Sequence, residues 1–195
     1  GHVTNLPAMS WAPLVFLAVD GWMDTRRPRW LLAGMAAVAM QILAGHPQYV
    51  FYTALASGLY AAVRLGLERD GLPVKAAGLV SIHAGGALIS AAQLVAGVVS
   101  SGETVRDEKL PWEFASMFGF PPENVLTLLA PGFFGDMMRA PYWGRCYLWE
   151  MSLFFGVAGL ALAVYGMIAG KPRAKAALLA VIPFALVLAL GKNTP

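Results

Sequence analysis

The chain has 195 residues, of which 58% are hydrophobic and 13% are charged, and its mean hydropathy is +0.61. A soluble domain carries about 25% charged residues, so this composition excludes a water-soluble globule, a disordered chain and a coiled coil. The single cysteine, Cys146, excludes a disulfide scaffold and a multi-cysteine zinc site. The net charge of +3 comes from short basic clusters between apolar runs, which is typical of membrane orientation signals and excludes nucleic-acid binding.

Apolar runs bounded by charges, glycine or proline predict an all-α protein, a polytopic transmembrane helix bundle with about six spans. The second run, 30–44, extends only about 22 Å as a helix. It either crosses obliquely, which we favour, or forms a re-entrant hairpin with the next run. We expect residues 1–195 to be part of a single transmembrane domain with one long structured external loop, 100–147. The predicted spans are 7–19, 30–44, 48–67, 76–99, 148–169 and 174–190.

Lysine and arginine counts predict the orientation of these spans, because basic residues stay on the cytoplasmic side. Six alternating spans place both ends of the chain and the loop 100–147 outside the cytoplasm, in a multi-pass protein of the cytoplasmic (inner) membrane. On one side lie nine basic residues: Arg26, Arg27, Arg29, Arg64, Arg69, Lys75, Lys171, Arg173 and Lys175. On the other side lie five: Arg106, Lys109, Arg139, Arg145 and Lys192.

The external loop is long for a connection without function. Its best candidates for binding an anion are Asp136, Arg139, Tyr142 and Arg145, because planar guanidinium groups suit phosphate and a nearby acid suits a base or a metal ligand. The alternative is a solvated loop with incidental charges. Residues 125–130 predict a short interfacial helix.

Pro122 suits the first turn of that interfacial helix, and Glu123 is placed favourably toward its positive end. Glu150 lies near the outer end of the fifth predicted span. An ionisable residue at the border of lipid is costly and usually has a function or a partner, for which Arg145 or Arg139 is expected. The alternative is an interfacial glutamate that reaches water.

Two further polar sites lie along the spans. His46 and Gln48 lie in a Gly-His-Pro-Gln break at the outer face, where freed backbone groups need protein or a watery cavity; the alternative is a simple helix turn. Gln93 and His83 share a helical face that either holds helices together, the favoured interpretation, or lines an outward cavity. That face also carries Gly86, Ser90 and Gly97.

The order of several short segments resembles the bacterial membrane protein YfhO family. The segments occur in this order over nearly the whole chain. The segments are NLPAMSWAPL at 5–14, LAGHPQ at 43–48, QL at 93–94 before a charged loop, PPEN at 121–124, LLAPGFFG at 128–135 and LGKNTP at 190–195.

This resemblance implies a fragment of a larger membrane glycosyltransferase of the GT-C type. Such an enzyme takes a sugar from a polyprenyl-phosphate donor and adds it to a cell-envelope polymer or lipid acceptor on the outer face of the membrane. The family's acidic catalytic residue is expected to precede residue 1, so it is assigned to no position here. Arg139 and Arg145 are expected to bind the lipid phosphate, with His46 as another contact. Asp136 or Glu123 would assist as a metal ligand or an acceptor contact, and the need for a divalent metal stays open.

Two alternatives come from other functional classes. A transporter or channel subunit is favoured by the broken helix at 45–47 and by polar residues within spans, although no inverted repeat is visible. A structural membrane protein without catalysis is the third interpretation.

The orientation predicts that Cys146 is labelled from outside by a membrane-impermeant thiol reagent in intact cells, because it lies in the external loop. Mass spectrometry of the labelled protein measures this. Labelling that succeeds only after permeabilisation would reverse the orientation.

Overall fold

The computed structural model describes residues 5–68, 70–101 and 116–193. All regular elements of the described residues are helices, which confirms the all-α prediction. Arg69, Arg106 and Lys109, which contributed to the charge count, lie outside these ranges. The α-helices are α1 Asn5–Ser10, α2 Ala12–Thr25, α3 Pro28–Leu43, α4 Pro47–Leu67, α5 Leu72–Ile89, α6 Ala91–Ser101, α7 Val157–Ala169 and α8 Pro172–Leu190, and two 3-10 helices cover Pro122–Leu128 and Gly191–Asn193.

Proline marks the start of three of the long helices. α3, α4 and α8 each begin at a proline, whose fixed φ and missing N–H suit the first helical position. The turn between α2 and α3 is made by Arg26, whose φ of 52° is left-handed, and its backbone N–H donates to the oxygen of Trp22. Pro28 and Pro47 therefore fix where two of the predicted spans begin.

Within the described ranges, four helices are long and apolar enough to cross a membrane. They are Asn5–Thr25, which comprises α1 and α2, then Pro47–Leu67, Leu72–Ile89 and Pro172–Asn193. Three apolar helices are shorter: Pro28–Leu43, Ala91–Ser100 and Val157–Ala169. Large apolar side chains such as Leu32, Leu88 and Ile168 are more than half exposed along these helices, as lipid contact requires. Together these features indicate a helical membrane protein.

The fifth predicted span, 148–169, is helical only in its second half. α7 begins at Val157 and has 13 residues, about 20 Å of helix, which does not cross a hydrocarbon core of about 30 Å. The backbone before α7 is hydrogen-bonded to side chains of residues 122–128. Asn124 donates to the oxygen of Met151 at 3.0 Å, and the N–H of Leu153 donates to the hydroxyl of Thr127 at 2.9 Å. The prediction of a continuous helix from residue 148 is therefore wrong.

The fourth predicted span, 76–99, is also interrupted. α5 ends at Ile89 and α6 begins at Ala91, because Ser90 turns its hydroxyl back to donate to the oxygen of Gly86 at 2.8 Å. Serine hydroxyls that bond a preceding carbonyl compete with the helical backbone and bend helices. The span is thus two helices and not one.

The chain divides into two compact units. The first comprises residues 1–108 and 172–181, and the second comprises 109–171 and 182–195. In the first unit α3 and α5 pack closely at glycines: a Cβ on Gly34 would lie 2.8 Å from Ile82, and one on Gly86 would lie 2.5 Å from Val38. Small residues of this kind let helices approach in lipid, as predicted for Gly86.

A buried guanidinium joins three segments of the first unit. The side chain of Arg64 on α4 is 2% exposed and forms ion pairs with Asp20 and Asp24 of α2 and with Glu68. Nη2 of Arg64 lies 2.8 Å from Asp24 and 2.5 Å from Glu68. The hydroxyl of Tyr60 accepts from Nη1 of Arg64 at 3.2 Å and donates to Asp20 at 2.6 Å. We call these residues, with Lys75, the Arg64 cluster.

Glu68 and Lys75 extend the Arg64 cluster to α5. Nζ of Lys75 lies 2.7 Å from Glu68, and both side chains are almost fully buried. Burial alone would raise the pKa of Glu68, but the hydrogen bonds from Lys75 and Arg64 outweigh it and hold that pKa below its ordinary value. Trp22 of α2 donates its indole N–H to the oxygen of Lys75 at 3.1 Å. Ion pairs and hydrogen bonds therefore connect the C-terminal ends of α2 and α4 with the N-terminal end of α5.

Arg64→Gln is expected to lower the free energy of unfolding by about 3–5 kcal/mol, because it leaves several carboxylates without their buried cation. Arg64→Lys should cost less, since it keeps the charge and loses the planar fork. Unfolding of the purified protein in bicelles measures both. The matched control is Arg173→Gln at an exposed position, expected within about 0.5 kcal/mol of wild type. Equal stability of Arg64→Gln and the control would contradict the role of the cluster.

Candidate functional site

The second unit is built around the 3-10 helix Pro122–Leu128. Its residue Thr127 donates to the oxygen of Asn124 at 2.6 Å, and Asn124 and Thr127 both bond the backbone of residues 151–153. The backbone N–H of Phe120 donates to the oxygen of Ala189 at 2.7 Å, and Asn193 donates to the oxygens of residues 119 and 120. The segment 121–124 and the described residues 190–193 of the segment 190–195, which both contributed to the resemblance, therefore lie within one unit.

A carboxylate holds the turn that carries Arg139. Oδ1 of Asp136 accepts the backbone N–H groups of Met138 at 3.0 Å, Arg139 at 2.7 Å and Ala140 at 3.2 Å. These three hydrogen bonds, above all the one from the N–H of Arg139, keep the pKa of Asp136 below its ordinary value. Asp136, predicted as a base, metal ligand or acceptor contact, therefore uses this oxygen to shape the turn.

Glycine is required where the same turn meets the following segment. Gly135 has a φ of 92°, and a Cβ there would lie 2.3 Å from the oxygen of Pro141. The N–H of Trp143 donates to the oxygen of Phe134 at 2.9 Å. These contacts fold residues 134–143 into a compact hairpin-like loop with Arg139 at its tip.

An open cleft of about 670 Å³ lies beside this loop, and we call it the Arg139 cleft. The guanidinium of Arg139 supplies its cation. Aromatic rings supply a second wall: Tyr147 and Trp149 stack with centroids 5.2 Å apart and planes 10° apart, and Phe118 stacks on Tyr147 at 5.8 Å. The cleft is lined by residues 137–142 and 146–149.

Arg145 is not part of the cleft wall. Its Nε and Nη2 lie 2.7 and 2.8 Å from the two carboxylate oxygens of Glu123, a bidentate pair. Its backbone oxygen accepts the hydroxyl of Tyr142 at 2.9 Å. The hydrogen bond from Arg145 lowers the pKa of Glu123, and the same contact raises that of Arg145. Arg139 and Arg145 are therefore not arranged to bind one anion together, as the sequence predicted. The acid that pairs with Arg145 is Glu123 and not Glu150.

The other predicted site residues do not line the Arg139 cleft. Glu150 is exposed, and its N–H donates to the oxygen of Tyr147. In the first unit, Gln48 donates to the hydroxyl of Tyr52 at 2.7 Å, and Gln93 is exposed on α6. His46 occupies the N-cap position of α4 without a side-chain capping hydrogen bond, and its ring packs on Tyr49 with ring centroids 4.7 Å apart. Its Nδ1 is buried and has no hydrogen-bond partner among the described residues.

His83 joins two helices as a polar contact. Its Nε2 lies 3.1 Å from the hydroxyl of Ser57 on α4, and its Nδ1 lies 3.1 Å from the oxygen of Leu79. Since a carbonyl oxygen only accepts, Nδ1 carries the proton in this arrangement. Ser57 is fully buried, so this pair fits the favoured interpretation of residues that hold helices together.

Sequence analysis missed the Arg64 cluster and the aromatic wall of the Arg139 cleft. The spacing of Asp20 and Asp24, and of Arg64 and Glu68, is the i,i+4 spacing of side chains on one helical face. Charges inside apolar runs are the signal that could have found the cluster. Within ranges 5–68, 70–101 and 116–193, no group of three or more histidine, cysteine or acidic side chains could hold a metal ion.

Comparisons of the chain with protein-family models, with curated proteins and with solved structures found no match.

The carboxylates of the second unit should titrate with different dependence on Arg145. Arg145→Gln is expected to raise the titration midpoint of Glu123 toward its ordinary value of 4.5 and to leave Asp136 unchanged, because only Glu123 bonds the guanidinium. NMR titration of labelled carboxyl carbons measures both. Since both pKa values are lowered in the fold, the stabilisation from these groups is present above their ordinary pKa and is lost as the pH falls through the folded values. An unchanged Glu123 midpoint would contradict the pair.

Proposed function

We propose that this chain forms part of a GT-C-type membrane glycosyltransferase that takes a sugar from a polyprenyl-phosphate donor and passes it to a cell-envelope acceptor. In this proposal the chain belongs to a larger protein and carries the loop 100–147 on the outer face of the cytoplasmic membrane. The proposal rests on the resemblance to the YfhO family and, among the contacts, on one observation: an exposed arginine beside stacked aromatic rings in an open cleft.

The Arg139 cleft has the chemistry that a lipid-linked sugar phosphate requires. A guanidinium binds phosphate through paired N–H groups, and Arg139 is exposed and held at its backbone by Asp136. Trp149 is 57% exposed, and the face of its ring that is turned away from Tyr147 suits the apolar C–H face of a sugar ring. Met137 and Met138, which precede Arg139 in the lining, are adaptable apolar side chains that suit the first prenyl units.

Backbone strain supports a functional assignment of this cleft. Three non-glycine residues in the described part of the chain have positive φ, and two of them, Met137 at 60° and Cys146 at 61°, line the Arg139 cleft. A left-handed conformation costs a non-glycine residue about 1–2 kcal/mol. Such strain clusters at binding sites, where the surrounding structure imposes it.

The proposed reaction is an inverting transfer. A general base removes the proton of the acceptor hydroxyl, the oxygen attacks the anomeric carbon, and the bond from that carbon to the lipid phosphate breaks. Arg139 stabilises the negative charge that develops on the departing phosphate. The base is assigned to no residue of this chain, and Arg145 acts on substrate only if Glu123 releases it.

Transport is the second candidate, favoured by the Arg64 cluster. Ionisable groups within spans mark ion and substrate pathways in many transporters. Here the N–H groups of Arg64 are occupied by Asp20, Asp24, Glu68 and Tyr60, which favours a structural contact instead. Substrate flux in sealed vesicles without product formation would favour transport over transfer.

Arg139→Gln in the full-length protein is expected to lower kcat/KM for the radiolabelled polyprenyl-phosphate sugar by about 10- to 100-fold, the cost of one lost charged hydrogen bond. Arg139→Lys should retain part of the activity, and Arg145→Gln should have a smaller effect. The control is Lys192→Gln, an exposed position with the same charge loss. Membranes of each variant are assayed for label that leaves the lipid. Activity of Arg139→Gln within twofold of wild type would remove Arg139 from the site.

A further inference from the structure

We infer that the turn between α2 and α3 binds the phosphate headgroup of an anionic phospholipid. Three arginines fall within four residues here, at Arg26, Arg27 and Arg29. Arg26 closes α2 in a left-handed conformation, Arg27 is the residue before α3, and Arg29 lies in the first turn of α3. The turn therefore concentrates positive charge at one end of two helices.

Ion pairs within the first unit leave two of these charges uncompensated. Arg26 is paired with Asp70, and Asp24, the acid nearest in sequence, is held by Arg64 at 2.8 Å. Arg27 and Arg29 are exposed, and neither forms an ion pair with an acid in the described part of the chain. The turn thus presents two cations to an external anion.

The turn lies where a headgroup would be found. The candidate span Asn5–Thr25 ends one residue before Arg26, so the arginines follow directly on membrane-length helix. The guanidinium of Arg29 lies over the ring of Trp30, 5.1 Å from its centroid. Tryptophan is enriched at the depth of the headgroups, and basic side chains beside a span attract anionic lipids.

Apolar surface beside the turn favours a lipid over free phosphate. Leu32, one turn from Arg29 on α3, is 67% exposed. A phospholipid can place its phosphate against Arg27 and Arg29 and its acyl chains along Leu32, whereas inorganic phosphate gains only the charge contacts. This site is independent of the Arg139 cleft, so its test does not depend on sugar transfer.

The test is native mass spectrometry of the full chain in detergent micelles, titrated with phosphatidylglycerol, with phosphatidylcholine or with inorganic phosphate. We expect tighter binding of phosphatidylglycerol than of the other two. In Arg27→Gln/Arg29→Gln its apparent Kd should rise about 30-fold, about fivefold for each basic residue lost near the surface. The matched control, Arg173→Gln/Lys192→Gln, loses two exposed charges elsewhere and should change it less than threefold.

A charge-preserving variant, Arg27→Lys/Arg29→Lys, should retain phosphatidylglycerol binding to within about fivefold, which keeps the test informative if the glutamine variant does not fold. Wild-type binding should also weaken as salt is raised, because exposed charges are screened. Equal binding of phosphatidylglycerol and phosphatidylcholine, equal competition by inorganic phosphate, or an equal loss in the control variant would each overturn the inference.

Discussion

The guanidinium of Arg64 is the interaction on which the first unit depends. It is 2% exposed on a helix of membrane length, and Asp20, Asp24, Glu68 and Tyr60 all bond it. A buried cation is tolerated only when its donors are satisfied and its charge is matched. Because those partners come from α2, α4 and the residue after α4, satisfying Arg64 requires the helices to meet in one arrangement. Apolar packing alone sets no such requirement, since lipid is as apolar as the helices.

Ion pairing within the protein also determines which cations are available to bind a ligand. Cations held by acids, namely Arg26, Arg64, Lys75 and Arg145, have their charge compensated within the protein. Arg139 in the second unit, and Arg27 and Arg29 at the turn after α2, are exposed and form no ion pair with the acids in the described residues. Both proposals follow from this difference. We expect an anion to bind where a cation is positioned by the fold and no acid of the protein compensates its charge.

The sequence predicted local features better than tertiary ones. The all-α class follows from hydropathy, and α3 and α4 begin at prolines within two residues of the predicted starts of the spans 30–44 and 48–67. The Arg64 cluster was not predicted because Arg64 and Asp20 are 44 residues apart in the sequence. Hydropathy along the chain does not indicate which distant side chains pair. The prediction of the fifth span was wrong for the same reason. Hydropathy alone predicts a helix there, but Asn124 and Thr127 hydrogen-bond the backbone of residues 151–153. The sequence gives Arg139 and Arg145 the same expected role as phosphate ligands, and only geometry separates the exposed arginine from the one paired with Glu123.

The most direct measurement of the central claim is a double-mutant cycle between Arg64→Gln and Asp20→Asn, with free energies of unfolding measured in bicelles. If the Arg64 cluster is one coupled unit, the double variant should lose less stability than the sum of the single variants, by more than about 1 kcal/mol. The reference pair, Arg64→Gln with Arg173→Gln, should be additive to within about 0.5 kcal/mol. Additivity of Arg64 and Asp20 at that same level would contradict the claim that the buried guanidinium fastens α2 to α4.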